Sequence, residues 1–194
     1  MKHEYREAWL DAAMKLVREH FKQAGYKVPD KIGVTCGWPS RGATSAKNQT
    51  IGQCWDASTS SRKYAEIFIS PVLDDAGRVL DVLIHEAAHA VVGCKEGHNA
   101  AFGKCARAVG LEGKLTATVA GDDLKKTLAG WKEQLGPYPH KKVNVTAKRG
   151  EKGSRLLKME CGECGCVIRT TQKWQDEYPD AWPCPCGGEL EPPA

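Results

Sequence analysis

Apolar residues recur at three- and four-residue spacing through Tyr5, Trp9, Ala12, Ala13, Leu16, Val17 and Phe21. This periodicity predicts an amphipathic helix over residues 4–24, stopped by Gly25 with Pro29 just beyond. Three short runs, residues 32–36, 51–56 and 64–70, read as strands between turn-rich stretches at 37–49 and 57–63, and Pro71 ends the third. Residues 78–92 are apolar around most of the helical circumference, which predicts a buried helix closed by Gly93. Shorter helices fit residues 100–109, ending at Gly110, and 122–135, with Asp122 or Asp123 near the N-cap. Gly136-Pro137-Tyr138-Pro139 breaks the periodicity and predicts a domain boundary. The expected organisation is a main domain at residues 1–136, a linker at 137–158 and a small domain at 159–194. The expected fold class is α+β, with helices packed on a small antiparallel sheet.

The buried helix contains His85-Glu86-Ala87-Ala88-His89, an HExxH motif. Residues four apart share one helix face, so both imidazoles can reach one metal ion. Glu86 can then hydrogen-bond a metal-activated water and act as general base and acid. The bland alternative, two histidines and a carboxylate packed in a core helix, leaves three polar groups in need of buried partners. A catalytic zinc takes three protein ligands and keeps one position open. His98 is the favoured third ligand, because Gly93 lets the chain leave the helix and Gly97 lets it turn back. The competitor is Glu112, which falls between Gly110 and Gly113 in an expected loop.

His85-Glu86-Ala87-Ala88-His89 followed by Gly97-His98-Asn99-Ala100-Ala101-Phe102 resembles the SprT-like metalloproteases, which include the Spartan DNA–protein crosslink proteases. That family follows HExxH with a Gly-His-Gly-x-x-Phe-like motif whose His is the third zinc ligand. Ser70-Pro71 likewise resembles the Asn-Pro that often ends the family's strand before the active-site helix. Asn99 stands where the family usually has Gly, and Asn tolerates left-handed backbone better than most residues. The likeness covers residues 67–111 well and the N-terminal third in outline. It implies a zincin-like minimal metalloprotease domain with a catalytic Zn²⁺ on His85, His89 and His98, and substrates that are proteins bound or crosslinked to DNA. The strand at residues 64–70 is expected to offer an edge to an extended substrate.

Nine cysteines form an odd set, and five of them fall in the last 34 residues, a metal-site pattern in a reducing, cytoplasmic compartment and not a secreted disulfide scaffold. Cys161-Gly162-Glu163-Cys164 and Cys184-Pro185-Cys186 have the separation of a zinc ribbon, with one residue inside the second pair where two are usual. The expected ligands of this structural Zn²⁺ are Cys161, Cys164, Cys184 and Cys186, with Cys166 the possible substitute. Many SprT-like proteins carry such a ribbon. Cys36, Cys54, Cys94 and Cys105 are scattered and read as small buried hydrophobes.

The charge changes the picture locally. Residues 141–159 hold Lys141, Lys142, Lys148, Arg149, Lys152, Arg155 and Lys158 against Glu151, a net +6 in a chain of net +4, which leaves −2 elsewhere. This basic stretch suits phosphate tracking along single-stranded or junction DNA without sequence preference, aided by Arg169, Lys173 and Trp174; its plain alternative is a solvated linker. No run is long and apolar enough for a membrane span, and the N-terminus has no secretory-signal pattern. The expected state is a monomer. The rival function is a nucleic-acid-binding, transcription-associated zinc-ribbon protein with a protease-like scaffold, against which an intact Glu86 argues. A third is a free-standing peptidase without a nucleic-acid role.

Overall fold

A computed structural model describes residues 3–145, 156–180 and 182–192. The chain is mixed α and β and divides into two compact units, residues 1–145 and 146–194. Among the described residues no helix is long and apolar enough to cross a membrane.

In the first unit, helix α1 (Arg6–Gln23) buries Trp9, Ala13, Val17 and Phe21 of the predicted stripe together with Leu10 and Met14, while Ala12 and Leu16 are half-buried and Tyr5, just before the helix, is exposed. Strands β1 (Ile32–Cys36), β2 (Gly52–Trp55) and β3 (Ala65–Ile69) form one sheet in the order β1-β3-β2. Ala65, Ile67 and Ile69 of β3 alternate into the core, as a half-buried strand requires. The sheet is mixed and not antiparallel throughout: β1 runs parallel to β3 (Ile32↔Ala65 to Cys36↔Ile69), while β2 runs antiparallel to it (Gly52↔Ile69 to Trp55↔Glu66). This order corrects a second expectation. Strand β3 is central and has no free edge; β1 and β2 are the edge strands, and β2 is the one beside α2.

Helix α2 (Ala76–Val92) is the buried element on which the unit is built. It touches β2, β3, α1 and both later helices, and Asp75 caps it by accepting the Arg78 N–H at 2.7 Å. Gly93 ends α2 at φ 100°, a 3₁₀ turn spans Cys94–Glu96, and Gly97 reverses the chain at φ 56°. Both are left-handed positions that a glycine reaches without steric cost. Helix α3 (Ala100–Ala108) follows. Asn99 caps it from extended backbone, φ −79°, accepting the N–H groups of Ala101 and Phe102. Its role is therefore that of an N-cap and not of a left-handed residue.

Strands β4 (Leu111–Lys114) and β5 (Ala117–Ala120) form a hairpin where a loop was expected, and α4 (Asp122–Leu135) closes the core with Leu124, Leu128 and Leu135. Gly121 is its N-cap, and Asp122 and Asp123 lie in the first turn. The unit does not stop at the Gly136-Pro137 break. Tyr138 is buried edge-on against Trp9 at 5.0 Å, and the Pro71 carbonyl accepts from His140 Nε2 at 2.9 Å and from the Val143 N–H at 2.8 Å. The junction between units therefore falls after residue 145.

The second unit is a small antiparallel sheet in the order β7-β6-β8, from β6 (Leu156–Cys161), β7 (Val167–Thr171) and β8 (Leu190–Glu191), with a short helix α5 (Gln172–Glu177). Among the described residues its buried hydrophobic cluster is Met159, Cys161, Cys184 and Leu190.

Candidate metal centres

Within α2, His85 and His89 lie one turn apart, and His98 arrives from the loop that Gly93 and Gly97 shape. The Nε2 atoms of His85 and His89 each lie 3.2 Å from His98 Nε2. Three ring nitrogens converging in this way form a group that could hold a metal ion. Glu112, the competing ligand, sits exposed on β4 and is not in the group.

The rings are held from behind. Phe102, on the first turn of α3, stacks on His89 at a centroid distance of 4.2 Å and meets His85 and His98 edge-on at 4.9 and 5.0 Å. His85 Nδ1 lies 2.8 Å from Thr118 Oγ1 on β5. A proton on Nδ1 leaves the Nε2 lone pair for a metal, the arrangement in which outer partners orient metal-binding histidines. Burial depresses all three imidazoles, His85 to about 3 with help from His89 and His98, and His89 to about 4 with help from His98. They are therefore neutral at pH 7, as ligands must be.

Glu86, one residue on from His85, lies against the edge strand β2. Its residue is 6% exposed, and burial, with Cys94 nearby, pushes its carboxyl up to about 8 against the opposing Cys54 backbone hydrogen bond. Among the described residues no cationic side chain offsets that burial. A cation on the adjacent imidazoles would supply the missing charge, so the carboxylate and the donor set fit a divalent metal together. The edge strand makes room for this carboxylate: a Cβ at Gly52 would lie 2.5 Å from Glu86 Oε1. Both groups open into a cleft of about 760 Å³ that Gly52, Cys54, Lys114 and Thr118 also line.

In the second unit the sulfurs of Cys161, Cys164, Cys184 and Cys186 form the other group that could hold a metal. Cys161 Sγ is 3.6 Å from Cys186 Sγ, and Cys164 Sγ is 3.5 Å from Cys184 Sγ. Cys161 and Cys164 sit in one tight turn and Cys184 and Cys186 in another, each ended by a left-handed glycine, Gly165 at φ 71° and Gly187 at φ 92°. The Gly165 N–H donates to the Cys161 carbonyl and the Gly187 N–H to the Cys184 carbonyl, so the shorter second pair still makes a knuckle. A Cβ at Gly188 would enter the cluster 2.9 Å from Cys161 Sγ. The Gly188 N–H, with the three other thiols, draws Cys186 down to about 7, which favours the thiolate that a metal needs. Cys166 is outside the group, and its carbonyl instead accepts the Cys161 N–H.

The predicted basic residues divide. Lys148, Arg149, Lys152 and Arg155 lie outside the described residues. Lys141 and Lys142 are exposed at the end of the first unit, and Lys158, on β6, pairs with Glu160. Trp174 and Tyr178 are exposed and stacked at 5.7 Å, with Lys173 Nζ over the Trp174 ring at 5.3 Å.

Sequence reasoning does not anticipate Thr118, Gly52 or the meeting of Cys54 with Cys94. The alternation in Thr116-Ala117-Thr118-Val119-Ala120 is the signal that could have found the strand bearing Thr118.

Compared with known proteins, the chain matches no family model, no curated protein and no solved structure.

Proposed function

We propose that the first unit is a zinc-dependent endopeptidase of the SprT-like, zincin-like type, acting on proteins bound or crosslinked to DNA. The observation that supports it best is the pairing of three convergent neutral imidazoles with a buried carboxyl on the same helix. A structural metal needs no such carboxyl.

His85, His89 and His98 would hold the catalytic ion, and four cysteine thiolates would hold a structural one. When bound, zinc supplies Lewis acidity, polarising a peptide carbonyl and acidifying water. The chain's own residues do the rest. Glu86 accepts a proton on its carboxylate from the attacking water and returns it to the departing amide nitrogen. Thr118 and Phe102 fix the imidazoles, and the Cys54 N–H holds Glu86 toward β2. Strand β2, as the free edge beside Glu86, can receive an extended substrate by strand addition. The basic residues and the Trp174–Tyr178 face support DNA contact through charge and base stacking.

The test is cleavage of a DNA-bound protein, with and without DNA, by wild type and Glu86→Gln. The amide keeps the shape of the side chain but cannot accept the proton. Turnover should fall by on the order of 10²–10⁴-fold while bound metal and fold persist. Wild-type turnover in Glu86→Gln would remove the peptidase reading. Cleavage of the same protein at equal rates without DNA would leave a free-standing peptidase.

A further inference from the structure

Cys54 and Cys94 are 40 residues apart in sequence, yet their sulfurs lie 3.0 Å apart. Cys54 comes from the edge strand β2, and Cys94 opens the 3₁₀ turn between Gly93 and Gly97 that leads to His98. Both thiols are free and half-buried, and both line the cleft that contains Glu86. Neither belongs to a group of metal donors among the described residues, so metal binding does not account for their meeting. Two thiols packed at this distance need move about 1 Å to reach the ~2.05 Å of a disulfide bond.

We propose that Cys54 and Cys94 are an oxidative modification site, a dithiol that hydroperoxides convert to a disulfide at the wall of the metal cleft. The two sulfurs have different roles. In the neutral pair Cys94 donates to Cys54; when Cys94 ionises the bond reverses, and the Cys54 thiol donates to it. That hydrogen bond holds Cys94 below the ordinary thiol value, and the same bond together with burial holds Cys54 above it. Cys94 is therefore the attacking sulfur and Cys54 the resolving one.

The steps balance. The Cys94 thiolate attacks one oxygen of hydrogen peroxide, the O–O bond breaks, and hydroxide leaves and takes up a proton as water, giving Cys94 sulfenic acid. Cys54 loses its proton and attacks the Cys94 sulfur. The S–O bond breaks, and the hydroxyl departs with that proton as a second water. Two thiols and one peroxide become one disulfide and two waters, with two electrons passing from sulfur to peroxide. The product ties the edge strand to the loop that delivers His98. The site stands apart from the peptidase reading, since it needs only the two sulfurs and access through the cleft.

Cys36 and Cys105 are built-in controls. Burial raises both thiols, Cys105 to about 11, and neither has a thiol partner among the described contacts. The test uses the full-length, metal-loaded protein, purified reduced and treated with equimolar hydrogen peroxide, then alkylated, digested and mapped by mass spectrometry. The expected product is a Cys54–Cys94 linked peptide, lighter than its two halves by two hydrogens and restored by dithiothreitol. Before oxidation, Cys94 should alkylate about tenfold or more faster than Cys105. In Cys54→Ser, Cys94 should accumulate as sulfenic acid, trapped by a 1,3-dione. The proposal is overturned if peroxide leaves Cys54 and Cys94 free, or oxidises Cys94 beyond sulfenic acid without linking it. The mapping of wild-type protein alone decides this if Cys54→Ser does not fold.

Discussion

His85 Nδ1 and Thr118 Oγ1 meet at 2.8 Å, joining the centre of the buried helix to the hairpin that follows α3. With the Thr118 hydroxyl oxygen accepting, Nδ1 carries the proton and the Nε2 lone pair is left on the side of His98. Thr118→Val keeps the volume but removes the oxygen that holds this tautomer. It should weaken metal binding at the histidine site by roughly 10–100-fold, as loss of an outer partner does. Competition against a calibrated chelator measures this directly. Unchanged affinity would reduce Thr118 to a packing residue.

Two metal equivalents are expected on the full chain, one at the histidines and one at the cysteines. His85→Ala/His89→Ala should leave about one, because the remaining His98 offers a single donor. His98→Ala should loosen the first ion and lower activity sharply. Glu112→Ala should change neither, since Glu112 is exposed on β4 and outside the donor group. Metal analysis after gel filtration separates these cases. Loss of metal in Glu112→Ala with retention in His98→Ala would overturn the ligand assignment.

Much of this arrangement is legible in the order of residues alone. Periodicity places α1, the buried helix and α4, because each has a strong apolar stripe over many residues. HExxH spacing and the two flanking glycines bring out His98, because those residues set local geometry. What stays hidden depends on long-range pairing. The order β1-β3-β2 puts β2 at an edge and β3 at the centre, and nothing local in Gly52-Gln53-Cys54-Trp55 announces that. The β4–β5 hairpin is short and largely exposed, with Gly113 at φ 90°, so its pattern reads as a loop. Cys54 and Cys94 read as separate apolar residues because their contact is made only by the fold.

The location of the junction predicts how truncations behave. Ending the chain after residue 136 removes Tyr138 from its packing on Trp9, and with it the His140 and Val143 hydrogen bonds to Pro71. Emptying a buried aromatic site costs about 3–5 kcal/mol. Residues 1–145 should therefore melt close to the first transition of the full chain, and residues 1–136 well below it. Equal melting temperatures for the two fragments would mean that residues 137–145 add nothing to the first unit.

Salt dependence separates a DNA-binding tail from a tether. Removing residues 146–194 deletes Lys148, Arg149, Lys152, Arg155 and Lys158 together with Arg169, Lys173 and Trp174. Each neutralised phosphate contributes about −0.7 on single strands, and about −0.9 on duplex, to the slope of log affinity against log salt. Lys158 is already paired with Glu160 and adds less. If most of the other cations contact phosphate, the full chain should show a slope of about −3 to −5. Residues 1–145, left with Lys141 and Lys142 from this stretch, should show a much shallower one. Trp174→Ala in the full chain should weaken single-strand binding without changing the slope, because stacking releases no counterions. Fluorescence anisotropy on a labelled oligonucleotide across a salt series reads all three. Equal affinity and slope in the full chain and the 1–145 fragment would assign the tail to tethering alone.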